Sequence, residues 1–115
     1  MFKRLIVTTL LALPLLSGFA LADGIEGDWL RPNGILVKIS KCGSEFCVVA
    51  ASGKHKGESA GKMAATAAGK YAGTVTDLEA AKTYSGKATL AGDSLTMSGC
   101  VLGGLFCKGE NWARQ

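Results

Sequence analysis

The chain has few of the residues from which active sites are usually built. It contains a single histidine, His55, within the glycine- and lysine-rich segment 53–57. Catalysis by a nucleophile or by an acid–base pair needs titratable groups that converge on a substrate. The sequence has no Gly-x-Ser-x-Gly motif, phosphate-binding loop, dinucleotide fingerprint or paired-carboxylate motif. We therefore expect His55 to be a solvated loop residue, and the protein to have no catalytic residues, no cofactor and no enzymatic activity.

Long apolar runs are also scarce, and the one that exists lies at the amino terminus. Lys3 and Arg4 precede the uncharged run 5–16, which leads to Ala20-Leu21-Ala22. A positive start, a short apolar middle and a small-x-small exit are typical of a secretory signal. The run is shorter than the roughly 20 apolar residues that span a bilayer, and Pro14 interrupts it. We expect cleavage after Ala22, with a retained membrane anchor as the alternative, and a mature domain 23–115 without a stable membrane span that is periplasmic or secreted.

An excess of one charge is missing once the signal is removed. Residues 1–22 carry Lys3 and Arg4 but no acidic residue, so their loss lowers the net charge from +4 to +2. The remaining charges are spread along the chain, without a basic run or interleaved aromatic residues. Nucleic acids are therefore not expected as partners.

The four cysteines are an even set in a chain addressed to an oxidising compartment, so we expect them to form disulfides. The alternative is a zinc site. Spacings of four residues between Cys42 and Cys47 and six between Cys100 and Cys107 differ from the close-set pairs of zinc ribbons, and an oxidising compartment disfavours thiolates. A redox motif with two intervening residues is absent. The sequence therefore predicts no metal site.

Apolar and polar residues alternate with the period of half-buried strands over most of the domain. Ile35, Val37 and Ile39 share one face of a first segment, and the run 46–51 forms its returning strand. The segments 84–90 and 95–101 alternate in the same way. The glycine-, alanine- and lysine-rich stretch 52–71 breaks the pattern, and we interpret it as a long excursion with at most one helical turn at 61–67.

Short turns define how these strands pair. Gly92-Asp93 is a two-residue hairpin signal, and Gly103-Gly104 is a second one. Together they predict these pairs: Leu90 with Leu95, Ala88 with Met97, Gly86 with Gly99, Tyr84 with Val101, Val101 with Phe106, and Cys100 with Cys107. If Ser44-Glu45 is the tip of the earlier hairpin, Cys42 lies opposite Cys47. The sequence therefore predicts disulfides Cys42–Cys47 and Cys100–Cys107, each stapling one hairpin and contributing about 2 kcal/mol.

Several motifs resemble a family of bacterial envelope proteins, domain of unknown function 2147. They are Gly27-Asp28-Trp29, Lys41-Cys42-Gly43, Phe46-Cys47, Lys82-Thr83-Tyr84-Ser85-Gly86, the segment 99–107 and Trp112-Ala113-Arg114. The resemblance implies an exported small β-barrel, similar in outline to lipocalins and avidins, in the bacterial cell envelope. It implies no established activity.

The ends of the domain resemble those of lipocalins, which open with Gly-x-Trp and close with a basic residue packed across that Trp. Here Gly27-x-Trp29 opens the domain and Arg114 lies near its end. An arginine laid on an indole closes the barrel and makes a cation–π contact. The fold expected is thus all-β, a small antiparallel β-barrel or partly open barrel of about six to eight short strands, with hairpins stapled by disulfides.

The predicted register also places charges on the inner face of the sheet. Lys108 and Glu110 share a face with Phe106, Trp112 and Met97, and Lys108 lies opposite Gly99, where two paired glycines leave room. We therefore predict a cavity for a small amphiphilic or anionic ligand, with Lys108, Glu110 and Tyr84 as polar contacts and Trp29, Met97, Phe106 and Trp112 as its apolar wall.

Three alternatives give no such site: a bulge at Gly109 that turns the charges outward, an ion pair between Lys108 and Glu110, or a barrel filled by its own side chains. Two functions therefore remain at this point. One is a binding module, and the other is a structural protein that presents a filled barrel and the stretch 52–71 to an envelope protein.

Overall fold

A computed structural model describes residues 24–115, which form a closed antiparallel barrel of eight strands. The expected signal peptide, its cleavage site and the alternative anchor lie in residues 1–23, outside the described part. The strands are β1 (Gly27–Leu30), β2 (Leu36–Cys42), β3 (Glu45–Ala50), β4 (Ser59–Ala67), β5 (Lys70–Asp77), β6 (Lys82–Ala91), β7 (Ser94–Val101) and β8 (Phe106–Arg114). Each strand pairs with the next along the chain, and β8 returns to pair with β1. The expected fold class is confirmed.

The pairing of β6, β7 and β8 follows the glycine turns as predicted. Leu90 faces Leu95, Ala88 faces Met97 and Gly86 faces Gly99. Beyond a short 3-10 turn at Leu102–Gly104, Val101 faces Phe106 and Cys100 faces Cys107. The disulfides Cys42–Cys47 and Cys100–Cys107 are both present, so the predicted stapling of hairpins is confirmed.

The predicted register of β2 and β3 was wrong by two residues. Cys42 faces Glu45 and Ser40 faces Cys47, so the turn is Gly43-Ser44 rather than Ser44-Glu45. Gly43 has φ +72°, which suits the first central position of a tight hairpin turn and is easy only for glycine. The disulfide therefore runs diagonally across the hairpin, with a Cα–Cα distance of 5.8 Å.

The interpretation of residues 52–71 as a long excursion was also wrong. A loop runs only as far as Glu58, and the rest forms β4 and the start of β5, with no helical turn at 61–67. Met63, the one large apolar side chain of β4, is completely buried. Alanine, glycine and lysine have low strand propensity, but pairing with β3 on one side and β5 on the other overrides it.

A row of glycines lets the strands approach closely where the barrel wall curves. Gly73, Gly86 and Gly99 lie side by side on β5, β6 and β7, and Lys108 follows on β8. A Cβ atom at Gly73 would overlap the carbonyl oxygen of Lys62, and one at Gly86 would lie 2.8 Å from Cε of Met63. The expectation that both glycines leave open space is therefore incorrect for Gly86, whose Cβ position is filled by Met63 and by backbone, whereas Gly99 lines a cavity at one end of the barrel.

The two ends of the barrel differ. The closed end holds the chain termini of the described part, where Trp29 is completely buried and the Arg114 guanidinium lies 4.4 Å from the centre of its ring. Arg114 also donates to the carboxylate of Asp93 and to the carbonyl oxygens of Glu26 and Gly24. At the other end, here called the open end, the loops between β1 and β2, β3 and β4, and β5 and β6 meet the β7–β8 hairpin around a cavity.

Within residues 24–115, no helix has the length and apolar character that crossing a lipid bilayer requires.

Candidate functional site

The open end of the barrel contains a cavity of about 630 Å³. Its floor, defined here as Val37, Ala50, Met97 and Trp112, consists of buried apolar side chains. Below the floor, the interior is filled by a packed cluster that includes Trp29, Ile39, Phe46, Met63 and Leu95. The barrel is therefore half filled and half open, which combines two arrangements that the sequence left as alternatives.

The structure brings together every residue predicted to contact a ligand except Trp29, which is buried in the filled half and does not line the cavity. The others line it: Tyr84, Met97, Phe106, Lys108, Glu110 and Trp112. Phe106, expected in an apolar wall, is 63% exposed because it lies at the rim rather than in the interior.

Lys108 lies on β8 opposite Gly99, as the predicted register requires. The register between β7 and β8 does not shift at Lys108, Gly109 and Glu110. There is therefore no bulge at Gly109 to turn the side chains of Lys108 and Glu110 outward. Lys108 is exposed to solvent within the wide mouth, which keeps its ammonium group hydrated. Among residues 24–115, no carboxylate forms an ion pair with it.

Glu110 has a partner that sequence reasoning did not find. The Nε of Arg31, in the loop after β1, lies 2.6 Å from Oε1 of Glu110, and Nε1 of Trp112 donates to the same oxygen at 2.8 Å. Partial burial alone would raise the pKa of Glu110. The hydrogen bonds from Arg31 and Trp112 and the positive charge of Arg31 outweigh burial and hold this pKa below its ordinary value. Glu110 is thus an ionised wall residue that also orients Trp112.

The side chain of Tyr84 packs next to Gly99 in the glycine row. A Cβ atom at Gly99 would lie 3.3 Å from Cγ1 of Val75 and 3.5 Å from Cβ of Tyr84, so these side chains cover the glycine. Within the described part of the chain, no residue hydrogen-bonds the Tyr84 hydroxyl. This hydroxyl and the Lys108 ammonium are thus cavity groups without a hydrogen-bond partner in residues 24–115, as is the buried Nε2 of His55.

His55 occupies a different place from the solvated one expected of it. Its side chain is 24% exposed and lies between two carboxylates. Nδ1 is 3.1 Å from Oε2 of Glu58, and Nε2 is 3.2 Å from Oε2 of Glu79. The first contact is local, whereas the second joins the β3–β4 loop to the β5–β6 loop at the cavity rim. Lys54 approaches the same Glu79 carboxylate at 3.9 Å.

This His55 cluster does not form a metal site. The two carboxylates lie at opposite nitrogens of one ring, so their oxygens cannot converge with a ring nitrogen on one ion. More generally, no group of three potential ligands gathers around a common point in residues 24–115.

The contacts of Arg31 and Glu79 could not be read from the sequence. Arg31 and Glu110 are separated by 79 positions, and both Arg31 and Glu79 belong to loops without a motif. Their roles arise only because barrel closure brings the four loops of the open end together. A solitary arginine next to a proline in a turn carries no signal of a distant carboxylate.

Comparison with known proteins agrees with the motifs. No curated protein and no solved structure matches the chain. Residues 58–114 match the model of the family described as an uncharacterized protein conserved in bacteria (DUF2147). The match runs from the end of the β3–β4 loop through β8 and so contains most of the cavity wall. This match supports the resemblance to the DUF2147 family that the sequence motifs indicated.

Proposed function

We propose that the protein is a non-enzymatic binding module whose open-end cavity takes up a small amphiphile with an anionic head group. The observation that carries the proposal is a cavity of about 630 Å³ with a buried apolar floor and two polar groups, on Lys108 and Tyr84, that lack partners within the described chain. Small-molecule sites have volumes of about 300–1,000 Å³ and combine apolar walls with a few polar groups.

The competing function, a structural protein with a filled barrel, has less support. A filled barrel would leave no volume above Met97 and Trp112, and side chains of this fold usually occupy any space that has no ligand. The 3-10 turn at the tip of the β7–β8 hairpin and the bridged loops of the open end surround this space without closing it.

The charges around the cavity favour an anionic head group. Arg31 pairs with Glu110, and Lys54 and His55 lie beside Glu79. A carboxylate oxygen of Asp77 accepts from the backbone N–H groups of Glu79 and Ala80. Lys108 is the cavity cation that has no carboxylate within ion-pair distance in residues 24–115, and an anionic group placed there with its apolar tail on the floor satisfies both parts of the cavity.

The arrangement favours binding over catalysis. Nδ1 of His55 hydrogen-bonds Glu58, and Nε2 lies 3.2 Å from an oxygen of Glu79 without hydrogen-bond geometry. In residues 24–115, no serine, threonine or cysteine that His55 could activate hydrogen-bonds either ring nitrogen. All four cysteines are in disulfides. These disulfides are compatible with a location outside the cytoplasm, and we propose the periplasm or the exterior of the cell as the place of binding.

Three amphiphiles with apolar tails of nearly equal length test the proposal: dodecanoate, dodecyltrimethylammonium and dodecyl maltoside. Periplasmically expressed protein is first examined by native mass spectrometry for a co-purifying molecule, and each amphiphile is then titrated below its micellar concentration. We expect dodecanoate to bind tightest. We expect Lys108→Ala to weaken dodecanoate binding about tenfold, equal to about 1.4 kcal/mol, with little effect on the neutral maltoside.

Lys87→Ala is the matched control, because Lys87 is an exposed lysine on the outer face of strand β6 and does not line the cavity. The Lys87→Ala protein should bind dodecanoate with the same affinity as the unmodified protein. Equal affinities for the three head groups would contradict the anionic ligand. The absence of any bound molecule, together with no effect of any amphiphile on the melting temperature, would favour the filled-barrel function instead.

A further inference from the structure

The β7–β8 hairpin carries every large apolar side chain that is exposed in residues 24–115. Leu102 is 69% exposed, Leu105 78% and Phe106 63%, and Val101 is 43% exposed. Leu102 and Leu105, here called the hairpin tip, lie in the turn between β7 and β8 and do not line the cavity. Exposed apolar side chains are ordinary when scattered, but their concentration at one projecting point indicates a contact surface.

The tip is held in its exposed conformation. The disulfide Cys100–Cys107 joins the two strands just below it. Leu102 has φ +53°, in the left-handed region that leucine rarely adopts, and Gly103 and Gly104 continue the turn with φ +66° and +94°. A non-glycine residue stays in this region only where the surrounding structure requires it. The backbone is therefore organised to project leucines outward rather than to fold them over the cavity.

We propose that this tip docks on an anionic lipid surface. The tip has only two large side chains, whereas a stable protein interface buries about 800 Å² on each partner. A small group of exposed leucines is suited to the deformable boundary between lipid head groups and acyl chains. From Ser94 to Gly109 the only charged residue is Lys108, a cation, and Glu110 further along β8 is paired with Arg31, so the hairpin presents no unpaired negative charge to an anionic surface.

The position of the tip also connects it with the cavity. Val101 and Phe106 follow the tip along both strands and line the cavity, so apolar surface continues from the tip to the floor. An amphiphile could move along this surface from a bilayer into the barrel. That consequence depends on the proposed function, whereas docking itself does not.

Vesicle sedimentation tests the proposal with full-length protein recovered from the periplasm. Vesicles of phosphatidylglycerol are compared with vesicles of phosphatidylcholine at low and at physiological salt. We expect binding to phosphatidylglycerol, weaker binding to phosphatidylcholine, and at least a tenfold loss in the double variant Leu102→Asp/Leu105→Asp. Aspartate is tolerated at the left-handed position 102 better than most residues, so the melting temperature should not change.

The charge-matched control is Ser44→Asp/Gln115→Asp, which adds two negative charges to exposed positions at the closed end. Its vesicle binding should stay within about twofold of the unmodified protein, since charges beyond the Debye length of about 8 Å are screened at physiological salt. If phosphatidylglycerol vesicles bind no protein, or bind the tip variant equally well, the proposal is wrong. It is equally wrong if the leucine variant instead converts a dimer into a monomer in analytical ultracentrifugation.

The two proposals can fail separately. Leu102 and Leu105 do not line the cavity, so the tip variant should keep its affinity for dodecanoate. If the tip variant loses vesicle binding but still binds dodecanoate, the result supports docking by the tip. If the unmodified protein binds vesicles but no amphiphile, the docking proposal stands and the proposed ligand cavity is wrong.

Discussion

Single side chains at the open end act mainly through charge. Glu110 accepts from Arg31 and from Trp112, and these contacts hold its pKa below the ordinary value of 4.5 although burial acts in the opposite direction. A lowered pKa in the folded state means that the ionised carboxylate stabilises the fold at pH values above its ordinary pKa. This contribution is lost as the pH falls through the folded-state pKa.

Glu110→Gln should therefore destabilise the protein at pH 7 and have a diminishing effect as the pH falls below about 4. Because Arg31 and Glu110 are each about a third exposed, we expect a loss of at most about 1 kcal/mol in the free energy of unfolding at pH 7. Urea unfolding at pH 7 and at pH 3 measures both values. Glu45→Gln, at a position with no ion pair in the described chain, should show no such pH dependence; an equal loss for Glu110→Gln at both pH values would contradict the assignment.

At the scale of strands, close backbone approach explains why β5 and β6 need glycine. Gly73 lies between Met63 on β4 and Gly86 on β6, and a side chain there would overlap the backbone of Lys62. Main-chain atoms within a paired ladder cannot move aside as the end of a flexible side chain can. Gly73 and Gly86 are thus a requirement of barrel curvature, whereas Gly99 lines the cavity.

Gly73→Ala should lower the free energy of unfolding by more than about 3 kcal/mol or prevent folding, because the new methyl group displaces paired backbone. Gly43→Ala is the comparison: its φ is positive, but no atom lies within 4 Å of the new Cβ, so we expect a loss of about 1 kcal/mol. Urea denaturation of both variants measures the two losses in free energy of unfolding. Similar losses at the two positions would show that backbone conformation rather than close approach is responsible.

For the molecule as a whole, closure depends on a short seam between the first and last strands. Only Trp29 with Arg114 and Leu30 with Ala113 pair between β1 and β8. Arg114 strengthens this seam by covering Trp29 and by donating to Asp93, Glu26 and Gly24. One side chain thereby ties the turn after β6, the start of the domain and the last strand into a closed end.

Arg114→Ala should therefore lower the free energy of unfolding by roughly 2 kcal/mol, the sum of a cation–π contact and hydrogen bonds from a charged donor. Arg114→Lys should have an intermediate effect, because an ammonium group cannot donate in the forked geometry of a guanidinium. Gln115→Ala, at the next position, should change stability by less than about 0.5 kcal/mol. Thermal and urea unfolding provide the values, and an Arg114→Ala protein as stable as Gln115→Ala would show that the seam does not depend on this residue.

Prediction from sequence succeeded where neighbouring residues carry the information. The turns at Gly92 and Gly103 set the register of β6, β7 and β8, and this register placed Lys108, Glu110 and Tyr84 around one space. It failed for β4, whose composition is unlike that of a strand, and for the β2–β3 turn, where two adjacent registers were both compatible with a disulfide. It also missed Arg31 and the position of His55, because their partners are loops from other parts of the chain.

The amino-acid sequence alone determined the strand alternation, the hairpin pairing from Lys82 onward, the two disulfides and the family resemblance, because each is encoded within a few residues or in motifs. Barrel closure, the division of its interior into a filled and an open half, the Arg31–Glu110 pair and the bridge through His55 were decided only by the tertiary structure. These depend on contacts between distant segments, and such contacts exist only after all eight strands have paired around one core.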